Sequence, residues 1–398
     1  MLVLKAMVIT VLDLLSQIYS RISHITETPT LDAQVLVAHF LDKSRPWVMA
    51  HPEALLDDDQ YNKVIQGLER LELGEPLPYV IGHWEFHGLD FHLSPDVLIP
   101  RPETEMLVER GINWLHNHPD HRTAIDVGTG SGCIGISLAM SVPDLSVLMT
   151  DISQIALNVA QVNANKFDLS GRLTFRSTDL LEGIVEHFDL ICANLPYIPT
   201  QALMKLPIAD REPRLALDGG NSGTELISML LDQARSCLAP GGLILLEIES
   251  SQGAEVKNIA CTCFPAASVE ILKDLSGWDR CIQIFSSNLL VHLCQRKEWL
   301  SALEQGIFTN KSLNQQGFIH CSQPQQILQV ANNFYKGIPE LVLLWIDPEK
   351  ITSKLIWEAA DGVLFPHIYG PISLDAVIAV SNFQSDVDGI YRTIEFTG

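Results

Sequence analysis

A four-residue segment, Asn194-Leu195-Pro196-Tyr197, follows an apolar run that is typical of a buried strand. Residues 188–193 (FDLICA) predict that strand, and Pro196 ends it because proline cannot donate to a sheet ladder. Asn194 therefore lies at the carboxyl end, the edge where open α/β sheets bind ligands. The Asn194 amide oxygen and the Leu195 carbonyl can accept hydrogen bonds from an NH2 group, and the Tyr197 ring can cover its flat face. The segment predicts a cradle for a planar nitrogen, although Asn-x-Pro is also common turn chemistry.

A glycine-rich loop precedes this segment in the chain. It joins a predicted strand, Thr123–Val127, to a helix through Gly128, Gly130 and Gly132. Glycines let the backbone turn tightly and approach a ligand closely. Such a loop occurs both in dinucleotide-binding proteins and in methyltransferases that use S-adenosylmethionine, so on its own it leaves both classes open.

The strands that follow end in residues suited to a nucleoside. The run 145–151 ends in Asp151, whose carboxylate can accept hydrogen bonds from two ribose hydroxyls. The run 172–179 ends in Asp179 and is followed by Leu180, where an adenine would lie. Another strand is predicted over residues 241–249. Strands that alternate with helical segments such as 153–166 predict an α/β fold with a doubly wound parallel sheet.

Methyl transfer explains this set of residues better than hydride transfer does. No lysine or arginine closely follows Asp151 to bind a 2′-phosphate. A dehydrogenase also gives the Asn194 cradle no role. We therefore predict a methyltransferase.

Six motifs occur together in the first 288 residues: LIPRPETE (98–105), DVGTGSG (126–132), NLPY (194–197), REPRLALDGGNSGTELI (211–227), LLEIESSQG (245–253) and DLSGWDR (274–280). With them, residues 10 to 288 resemble the HemK/PrmC-type protein-(glutamine-N5) methyltransferases, which modify peptide chain release factors. LIPRPETE and NLPY together are specific to that family, whereas the glycine loop is not.

The resemblance implies a reaction, a cofactor and a partner. The reaction is methyl transfer from S-adenosyl-L-methionine to a glutamine amide nitrogen in a release factor, in a class I methyltransferase domain with a Rossmann-like sheet. The resemblance also implies that Asn194, Leu195, Pro196 and Tyr197 carry out catalysis and bind the substrate. The residues expected to bind the cofactor are Asp126, Gly128, Thr129, Gly130, Ser131, Gly132, Asp151, Asp179, Leu180 and Asn194. The reaction requires neither a metal nor a dedicated base, because the methylated nitrogen becomes strongly acidic.

Leu195 departs from the family pattern, which usually has a proline at that position. The chemical cost should be small because the group needed is a main-chain carbonyl, which leucine also supplies. The change removes the rigidity that a following proline would give Asn194.

Composition indicates an enzyme of the cytoplasm. The eight cysteines form no CxxC pair, which favours free thiols in a reducing compartment. No apolar run is long enough for a membrane helix, and Asp13 lies where the apolar core of a signal peptide would end. A net charge of −22 at pH 7 argues against strong binding to nucleic acid. Two alternatives stay open: an adenine-N6 methyltransferase acting on DNA or RNA, and a binding protein that senses S-adenosylmethionine.

The chain divides into four predicted parts. Residues 1–78 predict a helical domain, with helices over 8–22, 31–42 and 61–74 and caps at Thr30 and at Asp58 or Asp59. The resemblance adds that this domain helps to grip the protein substrate. Residues 79–97 predict a β-hairpin linker, and 98–288 predict the methyltransferase domain. The linker contains histidines 83, 87 and 92, but nothing supplies a fourth metal ligand.

Arg101 and Glu103 lie at the junction between the linker and the methyltransferase domain. We expect Arg101 at the entrance to the active site, where it would contact the substrate. A structural salt bridge between Arg101 and Glu103 is an equally good interpretation.

Residues 289–398 predict an independent α+β domain. Strands are expected at 289–294 and 340–348 and helices at 297–306 and 324–337, together with the segments 317–322 and 365–372. With the motifs GFIHCS and FPHIYG the segment resembles a bacterial domain family of unknown function. His292, His320, Ser322, His367 and Tyr369 are candidates for a polar pocket, or for ordinary polar groups at strand ends.

Overall fold

The computed structural model describes residues 9–169, 171–360 and 363–394. Its first part is a helical unit that packs around its own apolar core, to which Leu14, Leu36 and Leu68 contribute. Residues 1–8, including the predicted helix start at Val8, lie outside the described residues. The elements are β1 (Ile9–Thr10), α1 (Val11–Ile22), α2 (Pro29–Phe40), α3 (Arg45–Ala50), β2 (Leu55–Leu56), α4 (Asp58–Glu72) and α5 (Leu77–Ile81).

The predicted helix caps in this unit are wrong. Helix α2 begins at Pro29, so Thr30 lies inside it; proline suits this first position because it has no N–H to satisfy and its φ is already helical. The cap of α4 is Asp57, so Asp58 and Asp59 lie in its first turn. The Asp57 side chain accepts from the Gln60 N–H at 2.8 Å, and the Gln60 side chain accepts from the Asp57 N–H at 3.1 Å. This reciprocal capping box fixes the start of the helix.

A β-hairpin connects the helical unit to the next sheet. Strands β3 (His83–Phe86) and β4 (Leu89–His92) pair antiparallel. The two turn residues, His87 and Gly88, have φ values of 50° and 72°, as a type I′ turn requires. The described residues contain no group of three or more His, Cys, Asp or Glu placed to hold a metal ion.

A seven-stranded sheet forms the centre of the chain, in the order β10-β11-β9-β8-β5-β6-β7. Strands β5 to β9 pair in parallel, whereas β10 and β11 form an antiparallel edge. The predicted doubly wound fold is confirmed, with this edge as an addition. The elements are α6 (Glu105–Asn117), β5 (Thr123–Val127), α7 (Cys133–Ser141), β6 (Ser146–Asp151), α8 (Gln154–Lys166), β7 (Leu173–Ser177), β8 (Phe188–Ala193), α9 (Thr200–Leu203), α10 (Glu225–Cys237), β9 (Leu238–Glu247), α11 (Gly253–Cys263), β10 (Ser268–Lys273) and β11 (Asp279–Phe285).

The last part is an α+β unit built on two three-stranded sheets, β12-β15-β19 and β14-β17-β16. The α+β fold is as predicted, but four elements lie outside the segments identified in the sequence: β13, α13, β16 and β19. No described helix is long and apolar enough to cross a membrane. The elements are β12 (Leu290–Gln295), α12 (Arg296–Gln305), β13 (Ile307–Phe308), α13 (Lys311–Gln316), β14 (Ile319–His320), α14 (Ile327–Phe334), β15 (Leu341–Ile346), β16 (Lys354–Ala360), β17 (Val363–Tyr369), β18 (Ile372–Ser373) and β19 (Val377–Phe383).

Candidate active site

A cavity of about 240 Å³ opens at the carboxyl ends of β5, β6 and β8. This is the switch point of the sheet, because the chain runs outward from β5 to β7 and then returns to place β8 on the other side of β5. Most of the residues predicted for the site line this cavity: Gly128, Thr129, Gly130, Ser131, Asp151, Asp179, Leu180, Asn194, Leu195 and Pro196. Asp126, Gly132, Tyr197 and Arg101 do not line it.

The glycine loop is held against the end of β6 by Asp151. One Asp151 carboxylate oxygen accepts from the Gly130 N–H at 3.0 Å, and the other accepts from the Ser153 N–H at 2.8 Å. Gly128 and Gly130 have φ values of 71° and 55°, a region that glycine adopts without strain. Burial raises the pKa of Asp151 above its usual range.

Asp126 supports the glycine loop through hydrogen bonds on the side away from the cavity. It is fully buried, and its Oδ2 accepts from the Thr129 hydroxyl at 2.6 Å and from the Gly135 N–H at 3.0 Å. Burial raises the pKa of Asp126 to about 6. Gly132 is also structural, since an added Cβ would lie 3.2 Å from Ala160 Cβ.

Leu180 lies in the cavity wall with a φ of 51°. Left-handed backbone is uncommon for a residue other than glycine and is strained for a bulky side chain. The Leu181 N–H donates to the Gln233 side chain at 2.8 Å, which ties this turn to helix α10. The turn is therefore held in place by the neighbouring helix.

A chain of hydrogen bonds fixes the orientation of the Asn194 amide. The Thr104 hydroxyl donates its single proton to Glu247 Oε2 at 2.6 Å. It must therefore accept from Asn194, whose Nδ2 lies 3.0 Å from Thr104 Oγ1. One N–H of the amide is thus bonded to Thr104, and Asn194 Oδ1 is left to accept a hydrogen bond from a ligand.

Glu247 anchors this chain from the buried end of β9. Its other oxygen accepts from the Tyr197 hydroxyl at 3.3 Å. Burial raises the pKa of Glu247, while the Thr104 hydroxyl opposes the shift. The Tyr197 hydroxyl thus holds the segment 194–197 to the sheet, and its ring does not line the cavity.

The loop 211–227 clamps the same segment from the opposite side. The Gly219 N–H donates to the Ile198 carbonyl at 2.9 Å, and the Ile198 N–H donates to the Leu217 carbonyl at 3.2 Å. An added Cβ at Gly219 would lie 2.6 Å from the Pro196 carbonyl oxygen, so the contact requires glycine. The Gln252 amide completes the clamp by donating to the Tyr197 carbonyl at 2.9 Å.

The Leu195 side chain packs inward. It is buried, and an added Cβ at Gly128 would lie 3.0 Å from Leu195 Cδ2. The leucine side chain thus packs against the glycine loop, and this packing restrains the residue. A proline at this position would be restrained by its ring, which restricts φ.

Arg101 forms a structural salt bridge, as one of the two interpretations proposed, but its partner is not Glu103. Arg101 pairs with Glu212 at 2.5 Å, and the same carboxylate accepts from the Ile99 N–H at 3.1 Å. Glu212 is buried and needs a cationic partner, whereas Glu103 is exposed on a 3₁₀ turn. Arg101 lines a second cavity of about 690 Å³ between the helical unit and the sheet.

Thr104 and Glu247 were not predicted as site residues. Both lie in motifs quoted above, LIPRPETE and LLEIESSQG, without an assigned role. A glutamate that ends an otherwise apolar buried strand was the available signal, because a buried carboxylate must be hydrogen bonded.

Comparison with protein families matches three parts of the chain. Residues 13–82 match the PrmC N-terminal domain, and residues 104–210 match the methyltransferase small domain. Residues 293–380 match a protein of unknown function, DUF952. A solved structure similar to this last part, protein CC0527 from Caulobacter crescentus, is 33% identical and covers 26% of this chain and 92% of its own, with a TM-score of 0.25.

Curated relatives match about two thirds of the chain. A release factor glutamine methyltransferase from Moorella thermoacetica is 43% identical over 257 residues, which are 64% of this chain and 90% of the relative. One from Clostridium acetobutylicum is 34% identical over 256 residues, 63% of this chain and 89% of the relative. With nearly the whole length of these relatives matched on this fold, the chain belongs to the release factor glutamine methyltransferase family.

Proposed function

We propose that this chain transfers a methyl group from S-adenosylmethionine to the side-chain amide nitrogen of a glutamine in a peptide chain release factor. One observation carries the proposal: the Asn194 amide is held with its oxygen available in the same cavity as the glycine loop and Asp151. The names of the relatives support the choice of substrate.

The cavity fits the proposed cofactor. An added Cβ at Gly130 meets nothing within 4 Å, so the loop leaves space for a ligand beside its backbone. We assign Gly128 to Ser131 and Asp151 to the cofactor, with the Asp151 carboxylate accepting from ribose hydroxyls and Leu180 beside the adenine. When bound, S-adenosylmethionine supplies an electrophilic methyl group on a sulfonium.

The contribution of the chain is to hold a weak nucleophile. An amide nitrogen reacts poorly because its lone pair is delocalised into the carbonyl. Asn194 Oδ1 and the Leu195 carbonyl accept the two N–H groups and aim the nitrogen, which supplies orientation. The same two acceptors favour positive charge developing on that nitrogen.

Thr104, Glu247 and Tyr197 act as positioning residues in this proposal. The Thr104 hydroxyl accepts a hydrogen bond from the NH2 of Asn194, and Glu247 accepts hydrogen bonds from Thr104 and Tyr197. Pro196 fixes the extended geometry of Leu195. The substrate thus meets a preorganised pair of acceptors.

The helical unit, the methyltransferase sheet and the C-terminal unit have separate apolar cores, which supports the division proposed from the sequence, 1–78, 79–97, 98–288 and 289–398; the hairpin shares the core of the sheet. Residues 1–8 and 395–398 of this division lie outside the described residues. We propose that the helical domain and Arg101 contact the release factor at the second cavity, and that the protein works in the cytoplasm.

The test incubates the purified chain with methyl-labelled S-adenosylmethionine and a release factor, with DNA and RNA in parallel reactions. We expect label on one glutamine of the release factor, located by mass spectrometry, and none on a variant with that glutamine replaced by alanine. Label found only in nucleic acid would support adenine methylation instead. Cofactor binding without any methyl transfer would support a sensing role.

A further inference from the structure

Two histidines of the C-terminal unit face each other across neighbouring strands. His320 on β14 and His367 on β17 are directly opposite in the antiparallel register. His320 Nδ1 lies 3.3 Å from His367 Nε2, and the ring centroids are 4.9 Å apart. Neither residue lines the methyltransferase cavity, so the pair has no part in the function proposed above.

The other nitrogen of each ring faces an oxygen. His367 Nδ1 lies 2.5 Å from Glu358 Oε2, and His320 Nε2 lies 2.7 Å from Gln316 Oε1. The Tyr369 hydroxyl donates to the same Glu358 oxygen at 2.9 Å. A carboxylate oxygen only accepts, so His367 Nδ1 carries a proton, and with the Gln316 amide turned to present Oε1, His320 Nε2 carries one as well.

The two nitrogens that face each other then carry no proton, and each presents a lone pair to the other. Two unprotonated nitrogens at this separation repel, and the repulsion is removed either by a proton on one of them or by a metal ion between them. A ring nitrogen that binds a metal, with an oxygen acceptor behind the other ring nitrogen, is the usual arrangement of metal-ligating histidine. Two nitrogens that each lie about 2.0–2.1 Å from one tetrahedral zinc ion are about 3.3 Å apart.

The ring orientations are fixed by packing. The Phe318 ring stacks on His367, with centroids 4.2 Å apart and planes at 25°. It also meets His320 edge-on at 4.7 Å. A pair whose rings are already held loses little conformational entropy when it binds a ligand.

A second histidine pair in the chain shows what the contacts look like when no cation is needed. His39 Nδ1 lies 3.1 Å from His83 Nε2, and His83 Nδ1 faces Asp90 at 2.5 Å. Within the described part of the chain, His39 Nε2 has no hydrogen-bond partner. His39 can therefore keep its proton on Nδ1 and donate it to His83, which satisfies the pair.

We propose that His320 Nδ1 and His367 Nε2 together bind one divalent transition-metal ion, such as Zn²⁺, with water in the remaining positions. Imidazole nitrogen suits zinc, copper and nickel better than magnesium or calcium. The described residues offer no third His, Cys, Asp or Glu ligand. The site is therefore a two-histidine chelate whose open positions are available to a further ligand.

Calorimetric titration of ZnCl2 into the untagged full-length chain tests the site, with MgCl2 as the control ion. We expect one Zn²⁺ per chain and no binding of Mg²⁺. His320→Gln and His367→Gln should each weaken Zn²⁺ binding at least about tenfold, whereas His39→Gln should leave it unchanged. Equal affinity in all three variants, or the absence of Zn²⁺ binding to the unmodified chain, would overturn the proposal.

Gln316→Glu provides a test that misfolding cannot mimic. A carboxylate keeps the acceptor behind His320 and strengthens it by its charge, so we expect Zn²⁺ to bind severalfold more tightly. An unchanged or weaker affinity would contradict the proton positions assigned to the two rings. Thermal unfolding of each variant shows whether the unit is intact.

Discussion

The Thr104 hydroxyl proton decides which way the Asn194 amide faces. Because that proton is given to Glu247, only the NH2 side of Asn194 can approach Thr104. A buried polar group that loses its partner costs about 1–3 kcal/mol, enough to compete with the correct orientation of the amide.

Replacing Thr104 with valine should therefore impair methyl transfer. Valine keeps the shape of threonine but cannot accept from Asn194, so we expect kcat to fall about 10- to 100-fold while cofactor affinity changes little. Thr104→Ser keeps the hydroxyl and is the matched control. Steady-state kinetics with calorimetric cofactor binding measure both values, and a valine variant with unchanged kcat would show that Thr104 does not orient Asn194.

The residues of the cradle could be predicted because their chemistry is local. Asn194, Leu195 and Pro196 are consecutive, and a strand followed by proline places them at the sheet edge. The support for the cradle could not be predicted in the same way, since Thr104 is 90 residues from Asn194 and 143 from Glu247. Only the fold brings these three together.

The loop 211–227 packs closely against the segment 194–197 at Gly219. Gly219→Ala should distort the cradle, because the new Cβ would lie 2.6 Å from the Pro196 carbonyl oxygen, a main-chain atom that cannot move aside easily. We expect a kcat lower by about tenfold or more and a lower unfolding temperature. Gly171→Ala, where an added Cβ meets nothing within 4 Å, is the control and should behave as the unmodified chain. Equal kinetics for the two variants would disprove the clamp.

Buried Asp126 makes stability depend on pH. Its pKa is raised to about 6 in the folded chain, so the folded state binds more protons than the unfolded state between about pH 4 and pH 6. The contribution of Asp126 to the free energy of unfolding is fully present below about pH 4 and is lost as the pH rises through 6. The total loss is about 3 kcal/mol. Urea unfolding at several pH values measures it. Relative to Asp126→Asn, the unmodified chain should lose stability over this range, and parallel pH profiles would contradict the assignment.

Elements with a clear apolar period were predicted well, and those without one were missed. Strand β16 (Lys354–Ala360) is partly exposed on both faces, so it has no alternation to detect. Helix α13 has no buried residue and is too short to show a period. The antiparallel edge of β10 and β11 depends on pairing with β9, which no local pattern reports.

The C-terminal unit contacts the methyltransferase sheet through helix α10. Arg235 on this helix donates to the Gln325 carbonyl at 2.6 Å. The same helix provides Leu226 to the cavity and Gln233 to the Leu180 turn. The helix thus touches both the cavity and the added unit.

A chain that ends at residue 288 should nevertheless keep its methyl transfer activity. All residues that line the cavity lie between Asp96 and Leu226, so we expect kcat within about threefold of the full chain and a lower unfolding temperature. Activity assays on the shortened and full chains decide this. A large loss of kcat in a folded shortened chain would mean that the C-terminal unit takes part in catalysis.

Asn194→Ala tests the central claim most directly. The variant should bind S-adenosylmethionine with nearly unchanged affinity, because the glycine loop and Asp151 are intact, and should methylate the release factor about 10²- to 10³-fold more slowly, because one of the two acceptors is gone. Methyl transfer is followed with labelled cofactor, and binding by calorimetry. Turnover equal to that of the unmodified chain would contradict the assignment of Asn194 as the group that holds the reacting amide.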